Sequence, residues 1–350
     1  MLFDKVVGIG GIGAGMLFLT DDNTTLGRSE SRLVELSDAK DYCKLHIVFH
    51  YVAELLGNNA SVYPIGFVGK DAHGNSLLEE INEAGMDSAY ISSDLHLPTM
   101  LSIVLQYPDK ETCNFTASNS ACDKVTALYV KECMEQIGID HFTIVAAIPE
   151  VQAESRIEML RYGKEKGAFC CLSIPESEAD VFKSSGIFDC CSLLAVNYSE
   201  ALALCPCDGD EAETAKHLFA DLQSYNPEIM LMVTCGEKGS LTIHKGNLEY
   251  VPPIPADVFV TTGAGDACLG GVIAGLAMGL PFQKGNNDTT FGETPLASAL
   301  ELGCLCAGMA IEKADSIAKH VGVSSIMERI RENGWKKESR FLAKESENRG

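Results

Sequence analysis

The stretch "VTTGAGDACLGGVIAGLAMGL", residues 260–280, is the segment from which the fold of this chain is inferred. A glycine-rich turn, Gly263-Ala264-Gly265, follows a strand-like segment, and Asp266 stands where a helix rich in small residues begins. Such a turn exposes backbone N–H groups with the positive end of the helix dipole behind them, which makes a seat for phosphate. In the alternative interpretation, Asp266 is only the cap of that helix, a common role for Asp.

On both sides of this stretch, short apolar segments alternate with segments of helical period. The strand-like segments are 6–10, 61–69, 142–148, 168–174, 192–197, 229–234 and 240–244, and the helical ones include 74–85, 127–138, 151–167 and 210–224. This alternation predicts an α/β protein with three layers, in which a central, mostly parallel sheet lies between helices.

Two intervals, residues 16–40 and 91–117, interrupt the alternation. They are polar or half-apolar, and a "PDKE" turn inside the second is typical of an antiparallel hairpin. We expect them to form a small β lid on an otherwise single domain of residues 1–350. Residues 284–295 are expected to be a surface loop, and 331–350 a charged tail that frays.

The composition limits the partners of the chain. A net charge of −22 argues against binding to nucleic acid or to anionic membranes, so an anionic ligand needs local amides or a few local cations. No apolar run approaches the roughly 18 residues of a membrane span. The 14 cysteines lie mostly in apolar runs, so we expect a reduced, cytoplasmic protein, without a zinc site at the "CPC" of residues 205–207.

Gly8, Gly10 and Gly13 have the spacing G-x-G-x-x-G, which can mark a dinucleotide site. That site needs a helix directly after the glycines, and the residues after Gly13 are strand-like and then loop-like. We therefore expect these glycines to serve close packing, and a dinucleotide oxidoreductase is the less favoured interpretation.

Four motifs in order resemble the ribokinase-like (PfkB) carbohydrate and nucleoside kinase family. They are "TTGAGDA…GG", "YPIGFVGKDAHGNSLLEEINEAGMD" (63–87), "NYSEA" (197–201) and "TCGEKGSL" (234–241). The resemblance covers roughly residues 5–325 and implies a mostly parallel sheet between helices with a small β lid.

The resemblance also implies roles for particular residues. Asp266 would be the general base for the acceptor hydroxyl, and the amides of Gly263, Ala264, Gly265 and Asp266 would hold the developing negative charge. Asn197 and Glu200 would act on Mg²⁺ through water, although Glu200 could instead be a solvated acid at a helix start. Thr234, Gly236 and Gly239 would line the phosphates and ribose of ATP, with adenine near residues 299–313.

The sequence departs from the family pattern in three places. The family's G-E-x-x-x-D carries an Asp that grips sugar hydroxyls, and its position is Gly15 here. The family's G-G-x-x-x-N is absent from the corresponding segment, residues 41–57. Val260 replaces the first Asp of D-T-x-G-A-G-D, so a monovalent-cation site beside it is doubtful.

Polar residues of the lid and first helix are therefore the candidates for holding the acceptor. They are Asp22, Arg28, Glu30, Arg32, Lys44, His46 and His50. His46 and His50 would share a helix face, where a zinc pair is conceivable but hydrogen-bonded, partly buried histidines are commoner. Arg28, Arg32 and Lys44 would suit an acceptor that carries a carboxylate or phosphate.

The function expected from these features is ATP- and Mg²⁺-dependent transfer of phosphate to a hydroxyl of a sugar or sugar-like acceptor. A nucleoside kinase, a kinase for a vitamin-type hydroxymethyl group and a catalytically silent nucleotide sensor are the alternatives. A homodimer through the lid is also expected, because residues 100–107 would otherwise be an exposed strand edge.

Overall fold

The structure, a computed structural model, describes residues 1–284, 296–332 and 340–342. Its strands are Lys5–Ile9 (β1), Gly13–Leu19 (β2), Glu35–Tyr42 (β3), Ser61–Gly69 (β4), Ile91–Asp94 (β5), Met100–Gln106 (β6), Thr112–Thr116 (β7), Thr143–Ala147 (β8), Phe169–Ser173 (β9), Leu193–Asn197 (β10), Met230–Thr234 (β11), Ser240–His244 (β12), Asn247–Val251 (β13) and Arg340–Leu342 (β14). Its helices are Lys44–Leu56 (α1), Ala72–Glu83 (α2), Ala127–Ile137 (α3), Ala153–Glu165 (α4), Ala179–Ser185 (α5), Tyr198–Leu204 (α6), Glu211–Gln223 (α7), Ala264–Met278 (α8), Ala299–Ala310 (α9) and Val323–Glu332 (α10).

Over the described parts of the chain, ten strands form the main sheet, in the order β14-β13-β12-β11-β10-β9-β8-β1-β4-β5. The seven strands from β11 to β5 are parallel, and β12, β13 and β14 extend one side as antiparallel strands. Because parallel strands end at the same edge, loops after β8, β9, β10 and β11 meet there, and ligands of such sheets bind at that edge.

Helices cover both faces of the main sheet, as the alternation predicts. Val6 of β1 packs in one apolar core with Leu45 of α1 and Val272 of α8. Val7, the next residue, points to the other core, with Val130 of α3 and Leu160 of α4. The strands are therefore buried on both sides, which is typical of a parallel sheet between helix layers. The predicted three-layer α/β fold is confirmed.

A second sheet of four strands, in the order β3-β2-β6-β7, stands apart from the first. Strands β6 and β7 form the antiparallel hairpin that the "PDKE" turn predicts. Two details of the predicted lid are wrong. Residues 91–94 pair with β4 in the main sheet as β5. Strand β6 is not an edge, because it lies between β2 and β7.

The glycines near the N-terminus do not open a helix. Strand β1 leads through residues 10–12 directly into β2, which belongs to the other sheet. A methyl group added at Gly8 would lie 2.8 Å from Cε1 of Phe49, so this glycine makes room for α1. The dinucleotide interpretation is therefore rejected, and close packing explains Gly8.

Most of the predicted surface loop, at 285–295, and residues 333–339 and 343–350 of the predicted tail lie outside the described residues. Residues 340–342 of that tail pair with β13. All 14 cysteines are free. Within the described ranges, no helix combines the length and apolar character that crossing a bilayer requires.

Candidate active site

A cleft of about 840 Å³ opens at the carboxyl ends of the parallel strands. Ser173, Asn197 and Thr234, the last residues of β9, β10 and β11, line it. Residues 261–266, which comprise the turn before α8 and its first residues, form a further wall. The cleft therefore brings together Asp266, the glycine turn and the residues predicted to contact nucleotide and Mg²⁺.

The turn before α8 offers free backbone donors to this cleft. Gly263 caps the helix with φ of 81°, a left-handed conformation that favours glycine, and an added methyl would lie 2.8 Å from the carbonyl oxygen of Ser316. The amide of Ala264 donates to the Thr261 carbonyl oxygen at 3.3 Å, and the helix ladder starts with the amide of Ala267. Among the described residues, the amides of Gly265 and Asp266 have no hydrogen-bond partner. These two N–H groups can receive an anion.

Asp266 lies beside these amides and lines the cleft with a side chain that is 19% exposed. Burial raises the pKa of its carboxyl group, and the ammonium of Lys44, 3.9 Å from Oδ1, acts in the opposite direction. A carboxylate whose pKa rises toward neutrality becomes a better proton acceptor. Asp266 therefore combines access to the cleft with the electrostatics of a general base.

Asn197 and Glu200 are joined in a capping box at the start of α6. Oδ1 of Asn197 accepts from the amide of Glu200 at 2.8 Å, and Oε2 of Glu200 accepts from the amide of Asn197 at 2.7 Å. The other oxygen of Glu200 and the amide nitrogen of the Asn197 side chain have no partner among the described residues. Glu200 is 8% exposed, so it is not the solvated acid of the alternative interpretation.

Thr234 ends β11, and Gly236 and Gly239 lie in the turn that follows it. The amide of Cys235 donates to the carbonyl oxygen of Gly239 at 2.8 Å, which closes the turn. Gly236 and Gly239 have φ of 56° and 84°. Oγ1 of Thr234 lies 3.7 Å from the position that a methyl group at Gly265 would take, so this turn faces the start of α8 across the cleft.

The far wall of the cleft is apolar. It is formed by Pro253, Ile254, Pro255 and Val258 of the segment after β13 and by Cys304, Ala307, Gly308 and Ile311 in and after α9. Part of the segment 299–313, where adenine is predicted, thus borders the cleft.

Two carboxylates near the base, one half-buried and one buried, were missed by sequence reasoning. Glu150, just after β8, accepts at Oε2 from the amide of Lys44 at 2.9 Å, and burial raises its pKa to about 7. Asp41 of β3 is 7% exposed, and its Oδ1 has no hydrogen-bond partner among the described residues. Burial raises the pKa of Asp41, and the charge of Asp266 adds to that effect.

Both carboxylates fill space left by glycines. A methyl group added at Gly11 would lie 2.7 Å from Cβ of Glu150, and one added at Gly15 would lie 2.7 Å from Cβ of Asp41. Gly15 and Asp41 are direct cross-strand partners. The carboxylate of Asp41 therefore occupies the place of a side chain at position 15, where the family pattern carries Asp. The pairing of β2 with β3 is the only signal that could have found it, and it is not visible in sequence.

The structure brings only one of the predicted acceptor residues, Lys44, to the cleft lining. Arg32 pairs with Asp22 at 3.0 Å and with Glu30 at 2.5 Å, and Arg28 lies in the same exposed loop. These lid residues are not part of the cleft wall.

His46 and His50 line a separate cavity of about 60 Å³, with Tyr42, Glu54 and Glu80. Burial lowers the pKa of His46 to about 3 and that of His50 to about 4. In the described part of the chain, no group of three or more His, Cys, Asp or Glu residues could hold a metal ion.

Comparisons with known proteins agree with this architecture. Fructokinase-2 of Oryza sativa subsp. japonica is 23% identical over 276 residues, which are 76% of this chain and 77% of that protein. Inositol 3-kinase of Arabidopsis thaliana is 41% identical over 70 residues, and the match spans only 20% of each chain. The structure of Arabidopsis thaliana ribokinase complexed with ribose and ATP superposes with a TM-score of 0.71 at 18% identity, covering 94% of this chain and 99% of that one.

A family model described as pfkB family carbohydrate kinase matches residues 49–320, well over half of the chain. The matched range contains the capping box of Asn197 and Glu200, the turn after β11, and the start of α8 with Asp266. The chain belongs to the pfkB family of carbohydrate kinases.

Proposed function

We propose that this protein transfers the γ-phosphoryl group of ATP to a hydroxyl group of a sugar or sugar-like acceptor. The observation that carries the proposal is the placement of Asp266 in one large cleft, beside the amides of Gly265 and Asp266, which have no hydrogen-bond partner in the part of the chain that the structure describes. A proton acceptor next to an anion seat is what transfer of a phosphoryl group to an alcohol requires.

In this reaction the bond between the γ-phosphorus and the bridging oxygen of ATP breaks, and a new bond joins that phosphorus to the acceptor oxygen. The hydroxyl proton passes to the carboxylate of Asp266 and from there to solvent, and ADP leaves. The amides of Gly265 and Asp266 stabilise the negative charge on the moving group, where loss of one such donor costs about 10²–10³ in rate.

The residues present fit ATP and Mg²⁺. The apolar wall formed by residues 253–258 and α9 suits the adenine ring of ATP. The segment from Thr234 to Gly239 lines the same cleft as the amides of Gly265 and Asp266, which we call the phosphate seat. Glu200 keeps one oxygen free of the capping box, and a carboxylate acting through water suits Mg²⁺. When bound, Mg²⁺ would neutralise part of the phosphate charge.

The charges around the base favour a neutral, polyhydroxylated acceptor. Asp41, Glu150 and Glu200 all interact electrostatically with Asp266, and Lys44 is the cation that opposes them. Arg32, predicted to meet an acidic acceptor, is already paired with Asp22 and Glu30. An acceptor carrying a carboxylate or phosphate would therefore be repelled, whereas sugar hydroxyls can donate to carboxylates.

The test is a set of two variants assayed with ATP, Mg²⁺ and a panel of hydroxyl compounds read by mass spectrometry. Asp266→Asn should fold normally and lose about 10²–10⁴ in phosphotransfer, because the amide cannot take the proton. Asp180→Asn is the matched control, since Asp180 also lies in the first turn of a helix but is exposed. An Asp266→Asn protein with full activity, or phosphorylation of acidic acceptors only, would contradict the proposal.

We further propose that two copies associate through the four-stranded sheet. Its outer face carries apolar side chains in register across the strands: Leu36, Phe18, Leu105, Met16, Ile103 and Phe115. Leu36 and Phe115 are 57% and 65% exposed. A contiguous apolar sheet face of this kind is typical of an interaction surface.

A further inference from the structure

The cleft is short of positive charge for the ligand proposed to fill it. Its charged lining residues are Glu200, Glu237 and Asp266 against Lys44, the one cation among the described residues that form the wall. A triphosphate is strongly anionic, and the chain as a whole carries a net charge of −22. Any side-chain cation that meets the phosphates from this wall must therefore be Lys44.

The backbone of Lys44 is held by a hydrogen bond, whereas its ammonium has only a distant ionic partner. Its amide donates to Oε2 of Glu150 at 2.9 Å, which fixes the first residue of α1. Its ammonium is 3.9 Å from Oδ1 of Asp266, which is longer than a hydrogen bond, and the side chain remains 35% exposed. The ammonium can therefore change partner by rotation of the side chain, without movement of α1.

Three carboxylates from different elements act on this ammonium. Asp266 comes from α8, Glu150 from the loop after β8 and Glu200 from α6, and all three hold the pKa of Lys44 above its usual range. Asp41 of β3 lies within electrostatic reach of Asp266. Lys44 is therefore charged at neutral pH, and its charge interacts with both the proposed base and the proposed Mg²⁺ residue.

We propose that Lys44 is a catalytic residue that binds the γ-phosphoryl group of ATP, exchanging its resting partner Asp266 for that group. The inference rests on the proposed function and adds a residue to it. A lysine ammonium binds phosphate as a compact point charge with three donors. The exchange also leaves the carboxylate of Asp266 without its cationic neighbour, so that it can accept the proton of the acceptor hydroxyl.

The proposal is tested by binding, without turnover. Isothermal titration calorimetry measures the affinities of MgATP and MgADP for the wild-type protein and for Lys44→Met, which removes the charge and keeps the chain length. We expect MgATP to bind about 10- to 100-fold more weakly to the variant, the range of a lost hydrogen bond to a charged group. MgADP affinity should be nearly unchanged, because ADP lacks the γ-phosphoryl group.

Two further variants complete the experiment. Lys40→Met is the matched control, because the ammonium of Lys40 pairs with Glu80 at 2.7 Å and does not line the cleft. It should bind both nucleotides as the wild type does. Lys44→Arg keeps the charge and should retain most of the preference for ATP over ADP. If circular dichroism shows that Lys44→Met does not fold, Lys44→Gln takes its place.

The outcomes separate this inference from the proposed function. Unchanged MgATP affinity in Lys44→Met, or equal losses for MgATP and MgADP, would overturn the role of Lys44 while Asp266→Asn could still be inactive. Loss confined to MgATP supports it, whichever acceptor the protein uses.

Discussion

Gly15 and Asp41 are cross-strand partners, and the side chain of Asp41 fills the space that the missing side chain of Gly15 leaves. In an antiparallel sheet, directly opposed residues have their Cβ atoms about 4.5–5.5 Å apart, so a side chain on one strand can reach over its partner when that partner is glycine. Asp41 does this, and its Oδ1 is buried without a hydrogen-bond partner in the described part of the chain. A buried carboxylate oxygen of this kind costs stability.

Replacing Asp41 with Asn should therefore stabilise the protein. Because burial raises the pKa of Asp41, the folded state binds its proton more tightly than the unfolded state does. The wild type consequently loses stability as the pH rises above the unfolded pKa, and the Asn variant does not. We expect a gain on the order of 1 kcal/mol at neutral pH that disappears in acid.

Urea unfolding of Asp41→Asn at several pH values measures this gain. Asp38→Asn is the control, since Asp38 lies on the same strand but is exposed. A variant that is less stable than the wild type at neutral pH would show that the Asp41 carboxylate is already satisfied.

The sequence predicts which site residues lie close together only when those residues are neighbours along the chain. Asp266 and the glycine turn are neighbours along the chain, so their proximity follows from sequence alone. Lys44, Glu150 and Asp41 come from three different elements, and their meeting depends on how β2 pairs with β3 and where α1 begins. The acceptor residues predicted on the lid failed to reach the cleft because Asp22, Glu30 and Arg32 satisfy each other's charges.

Helix α8 carries the proposed phosphate seat, and most of its length is enclosed by other parts of the protein. From Ala267 to Ala277 every residue of α8 is buried. Gly270 faces the backbone of α1, where an added methyl would lie 2.6 Å from the carbonyl oxygen of Val48. Gly271 faces α9, where a methyl would lie 2.8 Å from Cα of Gly303. Backbone contact on two sides fixes the direction in which the start of α8 points.

Gly271→Ala should destabilise the protein and disturb the phosphate seat. In an open helix the change from Gly to Ala gains about 0.5–1 kcal/mol. Here the new methyl meets backbone, which cannot rotate away, and overpacking of this kind costs about 1–3 kcal/mol. We expect a lower midpoint of thermal unfolding and weaker MgATP binding by calorimetry.

Gly27→Ala provides the comparison for this change, because its methyl would meet only the side chain of Glu30, at 3.4 Å. It should leave both measurements unaltered. Equal stability of Gly271→Ala and the wild type would mean that α8 and α9 can separate at little cost.

The elements themselves were largely predictable, and the sheet neighbours were not. Buried parallel strands are short apolar runs, so β4 and β12 were predicted to the residue at 61–69 and 240–244. Strand β5, residues 91–94, is short and mostly polar and lies at the edge of the main sheet, so its sequence resembles that of a strand from a lid. Which sheet it joins depends on tertiary packing rather than on local pattern.

Over the whole molecule, the four-stranded sheet contacts the segment that leads into the phosphate seat. Nε2 of Gln106 donates to the carbonyl oxygen of Phe259 at 2.9 Å, and Thr262 and Thr112 approach each other at 3.3 Å through their hydroxyl groups. Gln106 and Thr112 on the inner face of this sheet are thus turned toward the segment before α8, and Thr112 lines the cleft. The outer face of the sheet is apolar, so the sheet has two functions available on its two sides.

The outer face supplies the last prediction, that the protein is a dimer held by this sheet. Ile103 and Phe115 are direct cross-strand partners there, and both are exposed. A double variant, Ile103→Glu with Phe115→Glu, places like charges in the proposed contact, where burial without partners is strongly unfavourable. Analytical ultracentrifugation should give twice the mass of one chain for the wild type and a single chain for the variant. Leu33→Glu, at a leucine that is 93% exposed and outside the strands, should stay dimeric. A monomeric wild type would contradict the prediction. A dimeric double variant would show that the contact between the two chains lies on another surface.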